Sequence, residues 1–249
     1  MLGNAGTVLK TFVFCLGLVG AASPTVALAK VAKEPKAAEA VEPESTPATV
    51  ERMADWVRRA GDNQDLPFAI IDKSVARVFV YDAAGDLIGS TPALVGLTPG
   101  DDSTPGIGDR ELSDIPPEER TTPAGRFLGG YGPAAGKAHD VLWIDYATAI
   151  SLHPVVTTNP EEKRVERLKS PAIDDNRITF GCVNVSRKFY SKVVRPTFKG
   201  TQGVFYILPD YRDLAEVFPS FWSAEFAIRS AEAPAMPGLS GPRRPSALW

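Results

Sequence analysis

The sequence predicts a mainly β domain with short helices, set between two less regular ends. Three observations lead there. Short runs rich in β-branched and aromatic residues recur between residues 68 and 95, separated by turn signals. Almost continuously apolar runs follow at residues 141–144 and 203–208, the pattern of strands buried on both faces. Helical spacing of apolar residues is confined to brief stretches after Thr46 and Ser186.

A chain of 249 residues with 44% hydrophobic residues can bury one substantial core. The formal net charge of −3 and the lack of dense basic runs argue against a nucleic-acid partner. The sequence shows no metal-ligand cluster, P-loop or dinucleotide fingerprint, so neither a metal nor a cofactor is expected.

Residues 1–29 read as a secretory signal. Lys10 supplies the positive start, residues 11–22 form an apolar run, and Ala27-Leu28-Ala29 is a small-x-small cleavage site. An uncleaved anchor is the alternative, although the run is short for a membrane span. Phe12-Val13-Phe14 ahead of Cys15 makes a poor lipoprotein signal. The expectation is a soluble, exported protein with no stable membrane insertion once the signal is removed. Residues 30–45, built from Ala, Lys, Glu and Pro, bury too little apolar surface to repay ordering and are expected to be a disordered linker.

Residues 46–65 should hold a helix that precedes the domain. Thr46 is placed to cap it, and Val50, Met53, Trp56, Val57 and Ala60 share one face before Gly61 ends it. Strands are expected at residues 68–71, 75–81 and 87–95, with Asp82-Ala83-Ala84-Gly85-Asp86 as a hairpin turn, giving an antiparallel meander. Residues 97–121, rich in Thr, Pro, Gly and acidic side chains, lack periodicity. They are either a lid over a site or a surface excursion.

Further strands are expected at residues 139–144, 150–156 and 203–208. The charged segment between His153 and Thr179 should form a solvated surface helix capped by Asn159 and running to about Lys169. Ser186 caps a helix that Pro196 should stop. The aromatics of residues 209–231, Tyr211, Phe218, Phe221, Trp222 and Phe226, suggest a segment wrapped on the domain for packing. Residues 232–249 read as a disordered tail.

The chemistry concentrates in residues 177–185, RITFGCVNV. The only cysteines are Cys15 and Cys182, so removal of the signal leaves Cys182 without a disulfide partner, either a buried small hydrophobe or a nucleophile. Gly181 favours the nucleophile, because glycine permits a tight turn that bares the sulfur and aims amide groups at a developing oxyanion. The two histidines, His139 and His153, are the candidate bases.

Here the sequence resembles the L,D-transpeptidase (YkuD) family, whose signature is Ser/Thr-His-Gly-Cys, one variable residue, then Asn or Arg. Thr179, Gly181, Cys182 and Asn184 match, and Phe180 stands where the family has histidine. The Thr-Pro-x-Gly segment Thr122-Pro123-Ala124-Gly125, the opening strands and the position of His153 match as well. The resemblance spans residues 66–208 and implies a β-sandwich or barrel catalytic domain. It implies Cys182 as nucleophile, His153 as proton acceptor and donor, and the Gly181 backbone in the oxyanion hole. Phe180, Asn184, Thr179 and His139 become candidate substrate contacts, with His139 also the rival base.

The substrate implied is a peptidoglycan stem peptide, cross-linked through a cysteine thioester in a 3-3 or variant 1-3 linkage. Phe180 can neither carry a proton nor donate a hydrogen bond, so it should alter donor or acceptor choice. Competing readings are an inactive peptidoglycan-binding module, an L,D-carboxypeptidase or other hydrolase of the same fold, and a generic cysteine protease.

Overall fold

The computed structural model describes residues 46–134 and 140–232. The expected signal and linker, and the expected tail beyond Glu232, lie outside the described residues, as do Cys15 and His139. Nine strands occur among them: β1 (Phe68–Asp72), β2 (Arg77–Tyr81), β3 (Leu87–Gly96), β4 (Gly125–Pro133), β5 (Asp140–Asp145), β6 (Ile150–Pro154), β7 (Arg177–Thr179), β8 (Val183–Val185) and β9 (Gln202–Ile207).

The first three strands form the expected antiparallel meander. The sheet then runs β2-β1-β9-β4-β5-β6-β8-β3, and pairing of β3 with β2 closes the ring. The result is a mixed eight-stranded barrel with β7 attached to the end of β3. Closure removes the exposed edges that an open sheet would present. Two of its seams are parallel, β1 with β9 and β6 with β8, so each joins segments far apart in sequence.

Alternation decides which side chains fill the barrel. Ala69, Ile71, Val78, Val80, Ala93, Leu152, Val183, Val185, Phe205 and Ile207 meet inside. Their neighbours Phe68, Ile70, Phe79, Tyr81, Val204 and Tyr206 face outward, under helix α1 (Ala48–Ala60) and the C-terminal segment. On the opposite side, outward Leu94 packs with Val155 and Leu168, beneath the segment between β6 and β7.

A buried charge cluster ties the loops to this frame. Lys73, fully buried after β1, donates to the carbonyls of Gly100 and Thr122 and pairs with Asp101 at 2.9 Å and Asp210 at 3.2 Å. Arg177 on β7 adds a second pair to Asp210 at 2.6 Å. Burial alone would push the Asp101 carboxyl up. The backbone N–H groups of Arg212, Asp210 and Tyr211, together with Lys73, outweigh it and hold the pKa near about 2. One cation thereby joins the 97–121 excursion, the Thr-Pro-x-Gly segment and the chain after β9.

Several local expectations are corrected. Pro47, not Thr46, occupies the N-cap of α1, and it makes no side-chain cap; Gly61 closes the helix in the left-handed conformation as its sequence suggests. Ala60 lies on the exposed side. The segment after β6 is not one helix. A 3-10 turn at Pro160–Glu162, capped by Asn159, breaks at Lys163 (φ 47°) before a single turn, α2 (Arg164–Arg167).

Pro196 does not stop the helix after Ser186. That helix runs as α3 (Arg187–Phe189), a π turn (Tyr190–Val194) and α4 (Arg195–Phe198). The π turn restarts the hydrogen-bond register, which puts Pro196 in a first turn where its missing N–H is not needed. Beyond α5 (Leu214–Val217), only part of the aromatic segment packs. Phe218 and Phe221 are buried on the barrel, whereas Tyr211, and Trp222 and Phe226 of α6 (Pro219–Glu232), stay exposed.

Candidate active site

The parallel seam between β6 and β8 places the candidate site on the outer face of the barrel wall. Its register sets Leu152 opposite Val183 and His153 opposite Asn184. Leu152, Val183 and Val185 point into the core, so Ser151 and His153 of β6 share the outer face with Asn184 and with Cys182 just before β8. The barrel closure thus brings together residues 31 positions apart.

Cys182 is partly buried. Its Sγ lies 3.4 Å from Ser151 Oγ and 3.7 Å from the Ala149 carbonyl. Burial pushes the thiol up, but hydrogen bonding and charge interaction with His153 and hydrogen bonds from the Ser151 hydroxyl and backbone outweigh it. The thiol titrates below the ordinary cysteine value. The sequence reading missed Ser151. It stands two residues before His153 on one strand, and the period-two rule alone would have put both on the same face.

The tautomer of His153 follows from its partners. Nδ1 is 2.9 Å from the Pro154 carbonyl, and a carbonyl only accepts, so Nδ1 carries the ring proton. Nε2 therefore holds a lone pair, facing the Nδ2 group of Asn184 at 3.1 Å. A neutral imidazole with a fixed lone pair is the form a general base requires.

The turn bearing Cys182 is held from three sides. Gly181 adopts φ 126°, and a Cβ there would stand 2.6 Å from Ile150 and 2.7 Å from the Thr121 carbonyl, so only glycine fits. Thr122 Oγ1 accepts from the Gly96 N–H and donates to the Gly181 carbonyl at 2.7 Å. Thr179 Oγ1 donates to the Cys182 carbonyl at 2.7 Å and accepts from the Gly181 N–H at 3.2 Å. The Thr-Pro-x-Gly segment therefore does more than bend the chain: its hydroxyl locks the peptide ahead of the cysteine.

These contacts reassign three expected residues. Thr179 is 2% exposed and Asn184 0% exposed, and the hydrogen bonds of both go to other site residues, which they hold in place. The Gly181 N–H, expected in the oxyanion hole, is already engaged by Thr179, and the contribution of Gly181 is its backbone conformation. Phe180 is half-buried, with the Arg120 guanidinium 4.0 Å over its ring, an aromatic-cation contact that needs no histidine. His139 lies outside the described residues.

The 97–121 excursion borders this site. It folds into three 3-10 turns, Ile107–Asp109, Leu112–Asp114 and Pro117–Glu119, anchored by buried Ile107 and Ile115. Gly108 approaches the Ala147 carbonyl so closely that a Cβ would stand 2.4 Å from it, which seats the excursion on the β5–β6 turn that supplies Ala149. From the other side Arg164 of α2, a second residue the sequence reading missed, donates to Asn184 Oδ1 at 3.1 Å and pairs with Glu162 at 2.5 Å. Among the described residues, no group of three or more His, Cys, Asp or Glu side chains is placed to hold a metal ion, and no helix is long and apolar enough to cross a membrane.

No protein-family model and no curated protein matches this sequence. Among solved structures, the chain is similar to an L,D-transpeptidase from Mycobacterium smegmatis, with 10% identity and a TM-score of 0.33 over 57% of this chain and 58% of that one. It is also similar to the catalytic domain of an L,D-transpeptidase from E. faecium, with 13% identity and a TM-score of 0.32 over 58% of this chain and 98% of that domain. A third is the helical cell shape determining protein Pgp2 from Campylobacter jejuni, with 14% identity and a TM-score of 0.38 over 65% of this chain and 57% of that one. The match spans less than two thirds of the Mycobacterium smegmatis and Campylobacter jejuni chains. At these values the likeness bears on neither activity nor substrate.

Proposed function

We propose that this protein is a cysteine acyltransferase of the L,D-transpeptidase type, acting on peptidoglycan stem peptides in the periplasm after export. One observation carries the reading. The β6–β8 seam sets the thiol of Cys182, held low and beside Ser151, on the same outer face as His153, whose unprotonated Nε2 is capped by Asn184. A merely structural cysteine would have no use for that arrangement.

In the proposed cycle, the Asn184 amide releases Nε2 and His153 takes the thiol proton there as Cys182 Sγ attacks the carbonyl carbon preceding a terminal D-amino acid. The Cys182 N–H serves the oxyanion, since the Gly181 N–H is engaged. The C–N bond breaks, and the D-amino acid leaves as an amine that takes the proton back from His153. An amine of a second stem attacks the thioester and gives its proton to His153. The C–S bond breaks, a new amide joins the stems, and the thiolate regains a proton. Ser151 stabilises the sulfur in its anionic form through its hydroxyl and backbone.

Phe180 gives this site an apolar wall backed by a cation where a histidine would be a donor. Acceptor choice, 3-3 or 1-3, is the property it should tune. The test is product analysis after incubation of the mature chain with purified tetrapeptide and pentapeptide muropeptides. Cross-linked dimers are the expected result, and fragmentation names the bond. Monomers trimmed of one residue would replace the transferase by a carboxypeptidase. Unchanged substrates that nevertheless bind would make the protein a non-catalytic peptidoglycan-binding module.

A further inference from the structure

We propose that Arg164 is a positioning residue for His153 and acts through Asn184. The inference rests on the acyl-transfer reading above and extends it to a segment expected to be a solvated surface helix. A continuous chain of hydrogen bonds runs in one direction. Arg164 Nη1 donates to Asn184 Oδ1 at 3.1 Å, Asn184 Nδ2 donates to His153 Nε2 at 3.1 Å, and His153 Nδ1 donates to the Pro154 carbonyl at 2.9 Å.

An asparagine amide can turn end for end, and what faces it decides which way it points. A guanidinium only donates, so Oδ1 must face Arg164 and the NH₂ group must face the ring. The reversed amide would set donor against donor at Arg164. Asn184 is 0% exposed, so water cannot repair that mismatch. Arg164, with a side chain 12% exposed and anchored on Glu162, is thereby the group that selects the amide orientation.

The consequence reaches the base. With Arg164 absent, Asn184 is free to turn Oδ1 toward Nε2, which favours the tautomer protonated there. That tautomer gives up the Pro154 bond and has no lone pair at Nε2 to receive the Cys182 proton. Meanwhile the segment itself stays attached without the Arg164 guanidinium. Arg167 binds the Glu162 and Asp175 carbonyls, and Leu168 is buried against Leu94 and Val155.

The experiment uses the mature chain with ¹⁵N-labelled histidine, in a His139→Gln background that leaves His153 as the one ring signal; the substitution serves the spectrum alone. The parent should show a neutral ring protonated at Nδ1. In Arg164→Leu a share of the rings should move to Nε2–H, while Arg164→Lys, which keeps a donor, should restore the parent spectrum. Thioester formation, measured without the His139 substitution, should slow in proportion to the lost tautomer, about 10-fold if nine rings in ten change, with KM unchanged. Should Arg164→Leu fail to fold, Glu162→Gln, which loosens the anchor, should give the same shift at smaller size.

Parent-like tautomer and rate in a folded Arg164→Leu would overturn the proposal. A tautomer that responds to Arg164 in a protein forming no thioester would leave the positioning intact and sink the acyl-transfer reading instead.

Discussion

The barrel has two parallel seams, built alike and used differently. At the β1–β9 seam the outward residues are Phe68, Ile70, Val204 and Tyr206, sealed under Trp56 and Phe221 with rings in edge-on contact. At the β6–β8 seam the outward residues are Ser151, His153 and Asn184, next to Cys182 and covered by polar loops. Parallel pairing is the device that joins distant segments of chain; the outer side chains decide whether the junction yields stability or chemistry. The two seams should therefore fail in different ways when cut.

The largest expected effect lies on the chemical seam. His153→Ala should slow thioester formation by about 10²- to 10⁴-fold, the usual contribution of a general base, and cost about 1–3 kcal/mol of stability, because the buried Asn184 amide loses its acceptor. On the packing seam, Phe68→Ala should cost about 3–5 kcal/mol of unfolding free energy and leave the acylation rate of the folded fraction unchanged. Chemical denaturation beside single-turnover kinetics on both variants checks the contrast. Equal loss of stability at both seams would erase the distinction.

Next in size is an acid effect on the charge cluster that ties both sides together. The Asp101 carboxyl sits near about 2 in the folded chain, below the ordinary 3.8. A depressed carboxyl contributes stability that is present above pH ~4 and is lost as pH falls toward ~2. Asp101→Asn should flatten that part of the stability curve. An unchanged acid limb would remove Asp101 from the account.

A smaller effect sharpens the chemical seam itself. Ser151→Ala removes one of the groups that hold the Cys182 thiol low, so the pH midpoint of its alkylation should rise. The sign is fixed: the hydroxyl favours the thiolate, so its loss leaves more thiol at a given pH. The backbone donor and His153 remain, so the rise is smaller than the one that loss of His153 would cause. Smallest of all, Phe180→His should leave stability within about 1 kcal/mol, exchange the Arg120 contact, and show itself in the ratio of linkages formed.

Much of the frame is legible in the sequence, for a physical reason. The strands at residues 68–95, 150–156 and 203–208 carry their period in their own residues, and the glycine before Cys182 announces a turn that an added Cβ would block. The seams are different. Nothing in the alternation of β6 says that its neighbour is β8, 31 residues on from Ser151 to Cys182, so the sequence could not show that Asn184 and Thr179 are buried and bonded to other site residues. Arg164 was hidden for a related reason. A charged segment looks solvated from its composition, and only the fold shows that one of its cations turns inward. Pro196 failed as a stop because its cost depends on hydrogen-bond register, which a π turn resets.

The measurement that bears most directly on the central claim is the intact mass of the mature chain after brief exposure to tetrapeptide muropeptide, beside Cys182→Ala. The account predicts an added acyl mass on the parent, located at Cys182 by peptide mapping and released by an amine acceptor, with none on the variant. An unmodified parent under conditions where the substrate binds, or an adduct that persists in Cys182→Ala, would contradict it.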